Sequence, residues 1–355
     1  MNLFGKVIGM SLYDGLKDEI VKKIIQGEYP IGGVLATEQE LCEQTGLSRV
    51  TVRKALDELK REGLLEGVPR QGTLVRARKG GFSGNMDLIA LVAAVHDPFF
   101  ALFMEHFEQT ADKNGSLMLF KQDYEGKALR SDKLFFRFIQ KGIRNAVIWP
   151  QTDDIDFGLL MRLQTVGMNF VIFDQQFDTD VADIVCLDHY HAVYSLYEDM
   201  RSRFDGTIVF IGFEGLTLSS EVLREKAFMD ASGGSGTILT IGWNTNVEAE
   251  TALLLESLHL KADEPLGIIC ISGGIGLAVA RHMQQRGLQH FPLATVDYLT
   301  EMSDYPMTAY EQPMIEMAEK VYQRLAAQNN EGRNWRAGRY LLRGRLVKCG
   351  FERNM

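Results

Sequence analysis

Arg49 and Arg53 stand four residues apart in a stretch, Ser48 to Arg61, whose apolar residues Val52, Ala55, Leu56 and Leu59 recur at helical spacing. Their guanidiniums therefore project from one polar face. An arginine on such a face can grip a guanine edge through two hydrogen bonds or hold a phosphate. Thr51 lies near the start of the same helix, and Lys54 and Lys60 add charge elsewhere on its surface. The plain alternative is a solvated basic helix face. A second group lies far downstream. Asp97, Asp174 and Asp297 each follow a short apolar run, at the strand ends where open α/β sheets bind ligands. Their carboxylates accept hydrogen bonds from hydroxyls, and Arg224 can donate to hydroxyl, carboxylate or phosphate oxygen. Phe99, Phe100 and Trp243 offer apolar faces to a ligand ring. The competing readings are an aspartate that caps a helix and phenylalanines that fill a core.

The elements that position Arg49 and Arg53 are short and well punctuated. A first helix is expected from Ser11 to Gln26, with Leu12, Leu16, Ile20 and Ile24 on one stripe and Gly27 and Pro30 ending it. A second begins at Thr37, where Thr37 and Glu40 have capping-box spacing, and stops at Gly46. The third starts at the N-cap candidate Ser48. Leu64–Val75 then reads as a β-hairpin around Val68-Pro69-Arg70-Gln71-Gly72, and a hairpin directly after a helix-turn-helix is a wing. Residues 76–86 are basic, glycine-rich and without periodicity, as a linker would be. From Asp87 onward short apolar runs alternate with amphipathic stretches, which predicts parallel sheets with right-handed crossovers. Roughly 260 residues is large for one doubly wound sheet, so two α/β lobes are expected. The expected division is a winged helix-turn-helix over 1–77, a linker over 78–86 and a two-lobed body over 87–355.

The head, from Leu12-Tyr13 through Gly72-Thr73-Leu74-Val75, resembles the gluconate-repressor (GntR) family of winged helices. The segments Gly27–Gly32, Leu35–Leu41 and Leu47–Leu56 carry the likeness. The resemblance implies that Thr37, Glu38, Gln39, Ser48, Arg49, Thr51, Arg53, Gln71 and Gly72 lie at or near a DNA surface. Many members of that family carry arginine where this chain has Gln39. The body resembles the lactose-repressor and periplasmic sugar-binding-protein fold over about residues 87–350, an arrangement similar to that of arabinose repressors. Val95–Phe100, Val171–Asp174, Val185–Asp188, Leu223–Phe228, Val296-Asp297, Pro306–Thr308 and a closing strand at Leu342–Val347 carry that likeness in order. It implies a cleft ligand, a sugar or sugar derivative, held by Arg224 and strand-end aspartates. Where the fold often has an Asn-Asp pair, this chain has Ser272-Gly273-Gly274. A glycine-rich helix start of that kind offers backbone amides to an anion, which would favour a phosphorylated or acidic ligand.

Charge agrees with a split molecule. The net charge is -9, yet residues 1–79 carry 13 Lys/Arg against 11 Asp/Glu and the rest 25 against 36. An acidic body with one basic corner fits a DNA-binding head on a body that does not touch DNA. No apolar run is long enough to span a bilayer and no basic leader precedes an apolar core, so a cytoplasmic protein is expected. Cys42, Cys186, Cys270 and Cys349 are isolated, and His189 and His191, two apart, make a poor metal signature. With no GxSxG, HExxH or GKS/T motif, neither an enzyme nor a cofactor is expected. The expectation is a DNA-binding regulator, read as a repressor, that works as a homodimer on operator DNA and answers to a small polar ligand. The rivals are a binding protein of a transport system and an enzyme fused to a winged helix.

Overall fold

The computed structural model describes residues 11–76, 86–94, 98–123, 131–243, 245–259 and 266–350. Asp97 and the expected linker, apart from Met86, lie outside the described residues. In the head, α1 (Leu12–Gln26) starts at Ser11, whose hydroxyl accepts from the Asp14 amide, and ends at Gly27 with φ 81°. Leu16, Ile20 and Ile24 are buried, whereas Leu12, expected on that stripe, is 59% exposed because it is the first helical residue and stands outside the packed face. α2 (Glu38–Thr45) opens on the expected capping box: the Thr37 hydroxyl accepts from the Glu40 amide while the Thr37 amide donates to the Glu40 carboxylate at 2.8 Å. α3 (Arg49–Arg61) starts at Ser48 and buries Val52, Ala55, Leu56 and Leu59. β1 (Leu65–Val68) and β2 (Gly72–Val75) form the antiparallel hairpin, and Val34 bridges Leu74 as a third contact.

The first lobe of the body is built from β3 (Leu88–Ala93), α4 (Pro98–Lys113), β4 (Leu117–Gln122), α5 (Asp132–Gln140), β5 (Asn145–Trp149), α6 (Phe157–Thr165), β6 (Asn169–Phe173) and β7 (Asp183–Leu187). The second holds α7 (His189–Arg201), β8 (Ile208–Phe213), α8 (Ser219–Ala231), β9 (Thr237–Ile241), α9 (Val247–Ser257), β10 (Gly267–Cys270), α10 (Gly273–Arg286), β11 (Leu293–Val296) and β12 (Met307–Glu311). The chain then returns to the first lobe through α11 (Met314–Glu331) and β13 (Arg339–Leu342), and ends in the second with β14 (Arg345–Cys349). The sheet orders are β13-β7-β6-β5-β3-β4 and β14-β12-β11-β10-β8-β9. Strands β5 to β8, β10 and β11 are buried along their whole length, as expected of parallel strands covered by helices on both faces.

Two expectations change here. The closing strand read at Leu342–Val347 is two strands, because Arg343-Gly344 break it and pass it from one lobe to the other. β14 also runs antiparallel to β12, in a sheet expected to be parallel throughout. Gly344 permits this crossing: a Cβ there would collide with the Glu311 carbonyl.

Three crossings thus join the lobes, at Asp188, at Gln312-Pro313 and at Arg343-Gly344. They are tied together. The Asp188 carboxylate caps α7 at the His191 amide (3.0 Å) and accepts from Arg343 Nε (2.9 Å), while the Gly344 amide donates to the Tyr310 hydroxyl (2.9 Å). Buried Asp183 fastens the returning segment to the first lobe, accepting from Gln328 Nε2, Trp335 Nε1 and the Gly338 amide at 2.8–2.9 Å and pairing with Arg324. The head rests on the same lobe, with α1 against α5 and α6.

Candidate DNA interface and ligand cleft

The apolar stripe of α3 faces α1 and α2, which turns Arg49 and Arg53 outward; both are exposed. Ser48 and Thr51 are joined at the helix start, where the Ser48 hydroxyl accepts from the Thr51 amide. Arg53 does not stand alone. Its guanidinium makes a paired contact with the Glu38 carboxylate, Nη2 to Oε2 at 3.0 Å and Nε to Oε1 at 3.4 Å. The hydrogen bond from Arg53 holds the Glu38 carboxyl below its ordinary range. Such a contact fixes the fork of Arg53 at the α2–α3 corner. Glu38 was a residue implied only by resemblance; nothing in the spacing alone joins residues fifteen apart. Gln39 bonds instead along its own helix to Glu43 (3.1 Å). Thr37 is spent on capping. Gln71 closes the exposed hairpin turn and Gly72 opens β2, with Arg70 at φ 65° and Gly72 at φ 99°. Lys54 lies over the Tyr13 ring at 4.0 Å, which ties α3 to the start of α1.

In the body, Asp174 follows β6 and Asp297 follows β11, each in the left-handed backbone region, at φ 64° and φ 68°. Such a conformation is uncommon away from glycine and costs on the order of 1–3 kcal/mol, so it persists where the surroundings hold it. Between them sits Arg224, on the buried face of α8. Its Nη2 lies 3.8 Å from Asp297 Oδ1, its Nη1 donates to the Ile271 carbonyl at 2.7 Å, and its Nε donates to His189 Nδ1 at 3.3 Å. Because Nδ1 accepts, the ring proton is on Nε2, which donates to the Asp174 carbonyl at 3.2 Å. Burial, helped by Arg224, pushes His189 well below the ordinary histidine range, so the ring is neutral. Asp174, Arg224 and Asp297 come from positions up to 123 residues apart and are each under a tenth exposed (8%, 5% and 7%).

Gln175 carries the contact across the lobes. Its Nε2 donates to Ser220 Oγ and its Oε1 accepts from Ser219 Oγ, both at 2.9 Å. It does so where α8 lacks a capping side chain of its own. Next to this centre lies a cavity of about 720 Å³, bordered by Phe99, Asp297, Gln312, Met314 and Arg343 among others. The structure therefore gathers Asp174, Arg224 and Asp297, and sets Phe99 at the cavity wall. Phe100 is buried against Trp149 and Phe120, and Trp243 packs edge-on to Phe213 at 4.8 Å without bordering the cavity. Ser272 stands at the start of α10 and makes no side-chain cap. The glycines after it have a packing role: a Cβ on Gly273 would lie 2.6 Å from the Asp297 carbonyl, and one on Gly276 2.7 Å from Thr295. Sequence reasoning did not find His189, Gln175, Glu221 or Gln312. For Glu221 the signal was present, since it precedes Arg224 by one helical turn.

Comparison with known proteins places both parts. Residues 12–75 match the model of the bacterial regulatory proteins of the gntR family. The arabinose metabolism transcriptional repressor of Geobacillus stearothermophilus is 22% identical over 288 residues, covering 78% of each chain. Among solved structures, the Cra transcriptional dual regulator of Pseudomonas putida, in complex with fructose 1-phosphate, superposes with a TM-score of 0.62 at 17% identity, over 74% of this chain and 99% of that one. The transcriptional regulator CelR in its cellobiose complex reaches 0.62 at 16% identity, over 92% of this chain and 98% of that one. The head of this chain is thus a winged helix of the gntR type, carried on a body with the two-lobed fold of LacI-like regulators and periplasmic sugar-binding proteins.

Proposed function

We propose that this chain is a transcriptional repressor that binds operator DNA as a homodimer and changes its grip when a small polar ligand, a sugar or sugar derivative, enters the cleft between the lobes. One observation carries the reading. Asp174, Arg224 and Asp297 meet in a nearly closed interlobe centre, on a body joined to a helix that presents Arg49 and Arg53 outward. The arabinose repressor and the regulators solved with fructose 1-phosphate and with cellobiose support the combination. On this reading residues 1–77 recognise DNA, 78–86 link, and 87–355 bind ligand and dimerise in the cytoplasm. No helix among the described residues is long and apolar enough to cross a membrane.

A homodimer is favoured by symmetry, because one winged helix spans few base pairs and a pair doubles the footprint. A surface for it exists at edge strand β4. Leu88, Leu117 and Leu119 lie on one face there, exposed by 36%, 65% and 42%. An uncovered apolar edge of this kind suits association between copies.

The test is selection of duplexes from a random-sequence DNA pool by the full chain, followed by anisotropy with the enriched duplex. The proposal expects a two-fold pseudo-symmetric consensus bound by the wild type. Failure to enrich any duplex, at low as well as physiological salt, overturns it.

A further inference from the structure

The interlobe centre has a one-sided hydrogen-bond balance. Arg224 is engaged at all three nitrogens: Nε donates to His189, Nη1 donates to the Ile271 carbonyl, and Nη2 is paired with Asp297. The Gln312 amide nitrogen donates to Asp297 Oδ1. Two buried acceptors are left over. Gln312 Oε1 and Glu221 Oε2 are buried without any hydrogen-bond partner. Gln312 is 6% exposed and borders the cavity together with Asp297. A buried acceptor without a partner is costly, so an arriving donor recovers that loss.

Charge points the same way. Asp174, Glu221 and Asp297 surround a single guanidinium, and His189 is neutral. Burial raises the Glu221 carboxyl above its ordinary range, and the Asp297 charge adds to that while Arg224 opposes it. Adding an anion here would place it among three carboxylates that share one guanidinium.

Resting on the ligand-binding reading above, we propose that Glu221 and Gln312 select the effector: they receive hydrogen-bond donors, hydroxyl or ammonium, from a polyol that bears no phosphate or carboxylate. Glu221 is the specificity-determining residue that rejects anionic sugars. Opening the lobes admits the ligand, and closure brings its donors onto these two oxygens.

The experiment uses the full chain and calorimetric titration with matched compounds. Glucose, arabinose and fructose are the neutral arm, glucosamine and galactosamine the cationic arm, and glucose 6-phosphate, fructose 1-phosphate and gluconate the anionic arm. The inference expects binding within the first two arms, at least tenfold tighter than any member of the third. The arm that binds best tells whether the donor is hydroxyl or ammonium. A best binder from the anionic arm, or no binding in the first two, overturns it. Glu221→Gln then separates selection from folding. The variant should keep or raise the melting temperature, because a buried unpartnered carboxylate becomes neutral, while losing tenfold or more for the best binder. Unchanged affinity and unchanged discrimination would overturn the role of Glu221. Anisotropy on the selected duplex runs in parallel. Retained DNA binding beside a failed ligand panel sinks this inference alone, whereas lost DNA binding sinks the regulatory reading.

Discussion

Arg162 of α6 donates its Nε hydrogen to the carbonyl oxygen of Ile25, 2.8 Å away in the last turn of α1. That carbonyl is one of the orphan acceptors that any helix end leaves unbonded. A residue of the body therefore completes a helix of the head. Two further contacts flank it, Gln140 Nε2 to Asp18 at 3.0 Å and Gln26 Nε2 to Asp132 at 3.3 Å. These contacts seat the head directly on the first lobe. Coupling between cleft and DNA can then travel through packed helices instead of a glycine-rich tether.

Arg162→Ala should accordingly weaken communication more than binding. Typical coupling between two sites is roughly 1–3 kcal/mol. The variant should bind the selected duplex within about threefold of wild type, yet lose most of the ligand-induced change in DNA affinity. The check is the duplex Kd with and without saturating ligand. An unaltered ratio would show that the seat of the head does not carry the signal.

Arg53 and Glu38 make the second prediction. If Arg53 reads a base edge, Arg53→Ala costs about 1–3 kcal/mol in duplex affinity, and Arg49→Ala behaves alike. Glu38→Ala removes the carboxylate that fixes the Arg53 fork. This exposed pair contributes little to folding, so the melting temperature should stay put while base discrimination at the Arg53 position relaxes. Binding to mismatched duplexes measures this; wild-type discrimination in Glu38→Ala would reduce the pair to a surface contact.

The head was legible in the sequence because its signals are local. Ser11, Thr37 and Ser48 cap, glycines stop, and Val52, Ala55, Leu56 and Leu59 fall on one stripe. The cleft was half legible. Asp174 and Asp297 could be read as strand-end residues, and Arg224 through likeness. Their meeting could not, since it depends on α8 of one lobe docking on Gln175 of the other. Nor could the break at Arg343-Gly344, where a close approach to the Glu311 backbone, distant in sequence, decides that one apparent strand is two.

The edge of the first lobe supplies a third test. Leu117→Glu combined with Leu119→Glu places two charges on the exposed face of β4 without touching the core. The double variant should sediment as a monomer at micromolar concentration and bind the symmetric duplex far more weakly than wild type. A dimer unchanged by both charges would move the interface elsewhere on the body.

The last prediction concerns acid. His189 is completely buried, with Arg224 Nε at Nδ1 and both the Asp174 carbonyl and Asp174 Oδ1 (3.5 Å) at Nε2. Desolvation and the arginine oppose protonation, the Asp174 carbonyl favours it, and the net effect lowers the pKa well below its ordinary value. The unfolded chain therefore binds a proton, near pH 6.5, that the folded chain refuses. Stability from this group is fully present above that pH and is lost as pH falls below it, by at most about 1.4 kcal/mol per pH unit. Glu221 works in the opposite sense. Its raised pKa means that the folded chain holds a proton the unfolded one has released, so its contribution declines as pH rises above the ordinary glutamate range. The two oppose each other in the wild type, and only a difference measurement separates them. The melting temperature of wild type minus that of His189→Gln should rise from pH 5 to about 6.5 and level off above. A flat difference across that range would mean that the buried ring takes its proton without opening the bridge it makes between Asp174 and Arg224.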